Sequence, residues 1–118
     1  MCFIIHEKYP EEKIAKKDIV CYKILERNST VDFLSPYQKK HYKLNILYRS
    51  RLELSSYRIT IDIGIHSYSC KKKATYWINK VRNGVLAKGI IPKGSRYYYN
   101  PTMHEYVSNR IILQKIIK

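Results

Sequence analysis

SSYRITIDIGIHSY (55–68) decides the fold class. Tyr57, Ile59, Ile61, Ile63 and Ile65 alternate with Arg58, Thr60, Asp62 and Gly64, the period of two that puts one strand face in a core and the other in water. Immediately afterwards the period changes. Ala74, Trp77, Ile78 and Val81 stand at i, i+3, i+4 and i+7, one apolar stripe along a helix. The spacing predicts a helix over about residues 70–83, with Ser69 as a cap at its start and Gly84 at its end.

Working outward, KLNILYR (43–49) reads as a second clear strand. DIVCYKILE (18–26) is rich in β-branched and aromatic residues, and RNST supplies turn chemistry before a short VDFL strand. CFIIH (2–6) suits a short strand. EKYPEEKIAKKD, charged and holding Pro10, reads as a loop with at most one helical turn, and SPYQKK as another turn. After the helix come GVLAKGII, SRYYY and EYVSNRIILQKII, all β-rich. The expected architecture is α+β, a mainly antiparallel sheet of about six strands with one packed helix.

A chain of 118 residues is the size of one domain, here 1–118, and 45% hydrophobic content with only four Gly and four Pro suits a folded core. Its charge is less ordinary. Residues 1–62 carry 12 basic and 8 acidic side chains, but residues 63–118 carry 11 basic side chains against one acid, Glu105. The C-terminal half is therefore the expected anion-facing half, within a total net charge of +14. Cys2, Cys21 and Cys70 form no CxxC motif, so a reducing, cytoplasmic setting is expected. No apolar run approaches a signal sequence or a membrane span, and no membrane partner is expected.

Chemistry concentrates in a few places. Cys70-Lys71-Lys72-Lys73 opens the expected helix, where backbone N–H groups and the macrodipole already favour anions. His66, Ser67, Tyr68 and Ser69 run into the same corner. A lysine-rich solvated turn is the plainer alternative. In IPKGSRYYYN (91–100), Lys93 and Arg96 are expected on the anion-facing side, with Tyr97 and Tyr99 on one strand face and Tyr98 on the other. The twelve tyrosines suit strands, and any exposed ones beside cations suit stacked bases of single-stranded nucleic acid. Glu105 is expected to be firmly ionised in its positive surroundings, either in an ion pair or as a carboxylate working with His104 or His66. Cys2-x3-His6 and His66-x3-Cys70 offer metal-ligand types, but a strand separates i and i+4 by about 13 Å, so no metal is expected.

The blocks SPY (35–37), GIHSY (64–68), GIIPKGSRYY (89–98) and EYVSNRI (105–111) resemble small proteins of gut bacteria and their phages, a likeness that brings no activity with it. A looser similarity is to ADP-ribosyltransferases, in the run from a serine-containing strand through a helix to a P-x-G-S strand and a glutamate-bearing strand. It implies Ser67 in the serine strand, Glu105 as the catalytic acid and NAD as substrate. The enzymes' opening arginine or histidine motif and their Glu-x-Glu pair have no counterpart here.

Three functions follow. The first is nucleic-acid or other polyanion binding through Lys71, Lys72, Lys73, Lys88, Lys93, Arg96 and Arg110, with Tyr98 and His66, requiring no cofactor. The second is binding of a small phosphorylated or nucleotide ligand at one pocket. The third is the ADP-ribosyltransferase-like enzyme, which requires Glu105 and NAD.

Overall fold

The computed structural model describes residues 3–36, 39–55 and 59–118. Strands β1 (Phe3–Ile4) and β2 (Lys13–Ile14) precede the long β3 (Ile19–Arg27), and β4 (Phe33–Leu34), β5 (His41–Tyr42), β6 (Leu47–Arg49) and β7 (Glu53–Leu54) follow. Next come β8 (Thr60–Ile63), β9 (Ile65–Tyr68) and the helix α1 (Lys71–Ile78). After the helix run β10 (Gly84–Ile91), β11 (Arg96–Asn100), β12 (Glu105–Ser108) and β13 (Arg110–Ile116). The ladders are antiparallel. One sheet has the order β1-β8-β7; the other runs β2-β11-β12-β9-β3-β10-β13-β6, with the β4–β5 hairpin attached to β3.

The central ladder joins β3 to β10 through eight residue pairs, from Gly84↔Glu26 to Ile91↔Ile19. Strand alternation sends Cys21 and Leu25, with Val85, Ala87 and Ile91, into the main core against Ile111, Leu113, Phe33 and Tyr42. Ile24 and Leu86 point the other way and bury Ala74 of α1, with Trp77, Ile78 and Val81 around it. A third cluster, of Phe3, Ile61, Tyr98 and Val107, binds the small sheet to the large one.

The α+β class holds, but the expected count of about six strands becomes thirteen among the described residues. The apolar runs are cut by corners. SSYRITIDIGIHSY is not one strand: β8 belongs to the small sheet and β9 to the large one, and Gly64 is the crossing point. Ser56, Tyr57 and Arg58 of that run lie outside the described residues, as do Cys2 of CFIIH and Tyr37 of SPY. EYVSNRIILQKII divides at Asn109, whose side-chain oxygen accepts from Arg96 N at 2.9 Å while its own N–H donates to Arg96 O at 3.0 Å. KLNILYR keeps only its last three residues as strand, because Asn45 adopts a left-handed φ of 61° in a turn. VDFL is reduced to Phe33–Leu34, and the segment expected as a loop contributes β2, an edge strand paired with Arg96 and Tyr97.

The helix is also shorter than 70–83. It ends at Ile78, and the chain to β10 is held by tighter three-residue bonds such as Val81 N to Ile78 O and Gly84 N to Val81 O. Cys70, not Ser69, is the N-cap, and it makes no side-chain capping bond. Ser69 is engaged elsewhere: its N–H donates to His104 O at 2.8 Å and its hydroxyl lies 3.4 Å from that of Tyr99. Among the described residues no helix is long and apolar enough to cross a membrane.

Gly64 has steric rather than conformational importance. A Cβ there would collide with Val107 Cγ2 and stand 2.8 Å from Leu52 Cδ2, both at the junction of the two sheets. Gly64→Ala is therefore expected to lower unfolding free energy by about 1–3 kcal/mol, as overpacking does. Chemical denaturation of the two proteins measures it, and equal midpoints would refute the close packing.

Candidate functional site

A fork in the large sheet makes the site. β9 pairs along its length with β12, and β3 with β10, but β3 and β9 meet at the single pair Tyr22↔Tyr68. Beyond that pair the backbones separate. The gap is a cavity of about 170 Å³ lined from both sides of the sheet. Lys23 and Tyr42 approach it from the main-core side, and Trp77 and Lys80 from the helix side. His66, Ser67 and Glu105 line it along the β9 edge.

Lys23 occupies an inward strand position between Cys21 and Leu25, and only 6% of it is exposed. Its ammonium donates to His66 O at 2.7 Å, where the interrupted ladder leaves a carbonyl without a strand partner, and lies 5.4 Å from the Tyr42 ring centre. Those two contacts hold it at the cavity wall. It forms no ion pair among the described residues. Burial lowers its pKa to about 8, against an opposing pull from Cys21 and with a further push from Lys40. Near neutral pH it is still a cation, and a buried cation without a counter-charge is costly.

The neighbouring groups respond to the same burial. Burial, reinforced by the Lys23 charge, lowers the His66 imidazole to about 4, so it is neutral near pH 7. Burial raises the Glu105 carboxyl above the usual range. That corrects the expectation of a depressed value, because desolvation outweighs the positive surroundings, and Glu105 has no ion-pair partner among the described residues. Burial takes Tyr42 up to about 12, with Tyr48 adding to the rise. Ser67 is 2% exposed and its hydroxyl has no hydrogen-bond partner among the described residues. It nonetheless stands near enough to the Cys21 thiol to offset part of the rise that burial causes there, to about 12.

The residues expected to face an anion are not one cluster. His66 lines the cavity, as does Glu105. Lys71 and Lys72 are exposed and Lys73 half-buried at the start of α1. Lys88 pairs across the sheet with Tyr22 and Lys115. Lys93 is exposed in the turn after β10, where its N–H donates to Asp18 Oδ1 at 2.8 Å. Arg96 pairs with Glu12 at 3.4 Å, and Arg110 clasps the turn through Ser95 Oγ and Lys93 O. Tyr98 is buried against Phe3, Ile61 and Val107, whereas Tyr97 and Tyr99 contact Tyr106 on the opposite face. Ser67 and Glu105, the two residues implied by the ADP-ribosyltransferase likeness, line the same cavity.

Lys23, Tyr42, Trp77 and Lys80 were not marked by their residue types. One signal was readable: Lys23 interrupts the inward alternation Cys21, Lys23, Leu25 of an otherwise apolar strand face. Comparison with protein-family models, curated proteins and solved structures gives no match to this chain.

The low His66 pKa has a measurable consequence. The unfolded imidazole takes a proton near pH 6.5 while the folded one resists until about 4, so stability contributed by neutral His66 is complete above 6.5 and lost as pH falls towards 4. The loss is on the order of 3 kcal/mol. Glu105, with its raised pKa, works in the opposite direction in acid, so the comparison must be with His66→Gln. Denaturation from pH 7 to 4 is expected to show the wild type losing stability relative to this variant; parallel curves would exclude a buried neutral imidazole.

Proposed function

We propose that the protein binds a small phosphorylated or nucleotide ligand in the cavity at the fork. The observation that carries this reading is Lys23, a buried ammonium at a cavity wall with no carboxylate paired to it among the described residues. A ligand anion would supply the missing counter-charge and accept the ammonium's remaining N–H bonds. Trp77 and Tyr42 offer aromatic surface beside that charge. Lys80, whose ammonium lies 5.8 Å from the Trp77 ring centre and 5.6 Å from that of Tyr76, adds a second cation at the helix side. A void of this size suits one ring or one phosphate group, since cavities of about 150 Å³ take up benzene. The rest of a nucleotide would extend outward.

The net charge of +14 supports a second reading, binding of nucleic acid over the exposed Lys71, Lys72 and Lys93. The two differ in salt response: polyanion binding weakens steeply with salt through counterion release, and binding of one small anion in a cavity does so much less.

Trp77 is the only tryptophan in the chain, so its emission reports on the cavity directly. Titration with adenosine 5′-monophosphate is expected to change that emission saturably, and Lys23→Met to weaken binding at least about tenfold. Affinity is expected to fall as pH rises through about 8, where Lys23 loses its charge. Glu105→Gln, which removes a carboxyl facing the anion, is expected to tighten binding. An emission change that Lys23→Met leaves intact would displace the ligand from this cavity.

A further inference from the structure

Resting on the ligand-binding reading just made, we infer that the buried end of the cavity takes a terminal phosphomonoester and rejects an internal phosphodiester. The donors there are inward and few. Lys23 has two N–H bonds left after its bond to His66 O, and the Ser67 hydroxyl, beside the Cys21 thiol, has no nitrogen or oxygen partner among the described residues, yet the two residues are only 6% and 2% exposed. His66 lines the same cavity and offers Lys23 its backbone carbonyl, while its side chain alternates to the strand face opposite Ser67. A terminal phosphate presents three unsubstituted oxygens, enough to meet both free N–H bonds of the ammonium and the hydroxyl together. An internal diester has only two, a single negative charge, and a chain that must continue from both sides.

Depth adds to the oxygen count. A polymer passing across the opening can offer its phosphates only to the rim, where Lys80 is exposed, and cannot bring them to two donors this deeply buried without carrying its flanking sugars inside. The volume of about 170 Å³ leaves no room for those sugars. A monoester enters end-on. Its charge then neutralises Lys23, while the sugar and any base remain towards Trp77. Selectivity among phosphates thus lies in the ester's connectivity and not in the overall basic charge of the chain.

Trp77 emission, with calorimetry as a second readout, is to be followed with adenosine 5′-monophosphate, ribose 5-phosphate, adenosine and adenosine 3′,5′-cyclic monophosphate at one ionic strength. The 5′-monophosphate is expected to bind at least about tenfold more tightly than the cyclic diester or the nucleoside. Ser67→Ala is expected to reduce that affinity about tenfold while leaving the weak affinity for adenosine unchanged. A melting temperature close to that of the wild type verifies that the variant is folded. Ribose 5-phosphate matching the nucleotide would assign the affinity to the phosphate end, and a tighter nucleotide would add a contribution from the base; each agrees with a terminal phosphate. Cyclic diester binding as tightly as the monoester would overturn the phosphomonoester assignment but leave a ligand cavity. Absence of binding by all four compounds would overturn the cavity reading itself, and with it this inference.

Discussion

The eight-strand path of the large sheet is continuous across β3 and β9 through one residue pair, Tyr22↔Tyr68, and the Lys23 ammonium spans the gap that opens beside it. A strand pair that separates leaves backbone carbonyls without partners, and burial makes such groups expensive. Here one carbonyl, that of His66, is satisfied by a side chain reaching from the other strand. The same contact that closes the ladder places a cation at the cavity wall. Structural need and binding capacity therefore reside in one group.

The divergence follows from the other partners of the two strands. β3 is committed to eight pairs with β10, and β9 to four pairs with β12. At its start β9 is also tied to the small sheet, because only Gly64 separates it from β8, and that corner is packed against Val107 and Leu52. β9 cannot lie along β3 without leaving this packing. α1 then covers the fork from one side and the β4–β5 hairpin from the other, which gives the opening walls of different character: Trp77 and Lys80 against Tyr42.

Elements whose whole length shares one environment were readable from residue pattern. GVLAKGII became β10 at residues 84–91, and DIVCYKILE became β3 with its bounds shifted by one. Runs that cross from one sheet to another were not, because the alternation persists through a corner while the buried face changes its partner. Gly64 and Asn109 look like ordinary strand residues until the second sheet and the Arg96 contact are known. Glu105 illustrates the same limit in electrostatics: charge composition argued for a lowered pKa, and burial raised it.

The α+β class, the antiparallel character, the helix stripe of Ala74, Trp77, Ile78 and Val81, and the concentration of positive charge after Asp62 are all legible in the order of residues. These depend on periodicity and composition, which are properties of neighbouring residues. That His66 and Glu105 share a cavity with Lys23, and that Arg96 and Arg110 are engaged with Glu12 and with the turn at Lys93–Ser95, emerges from the folded chain alone. The reason is distance along the chain: Lys23 meets His66 across 43 positions. Whether a charged side chain lies at the surface or against an internal cavity depends on which strands refuse to pair, and no local pattern carries that information.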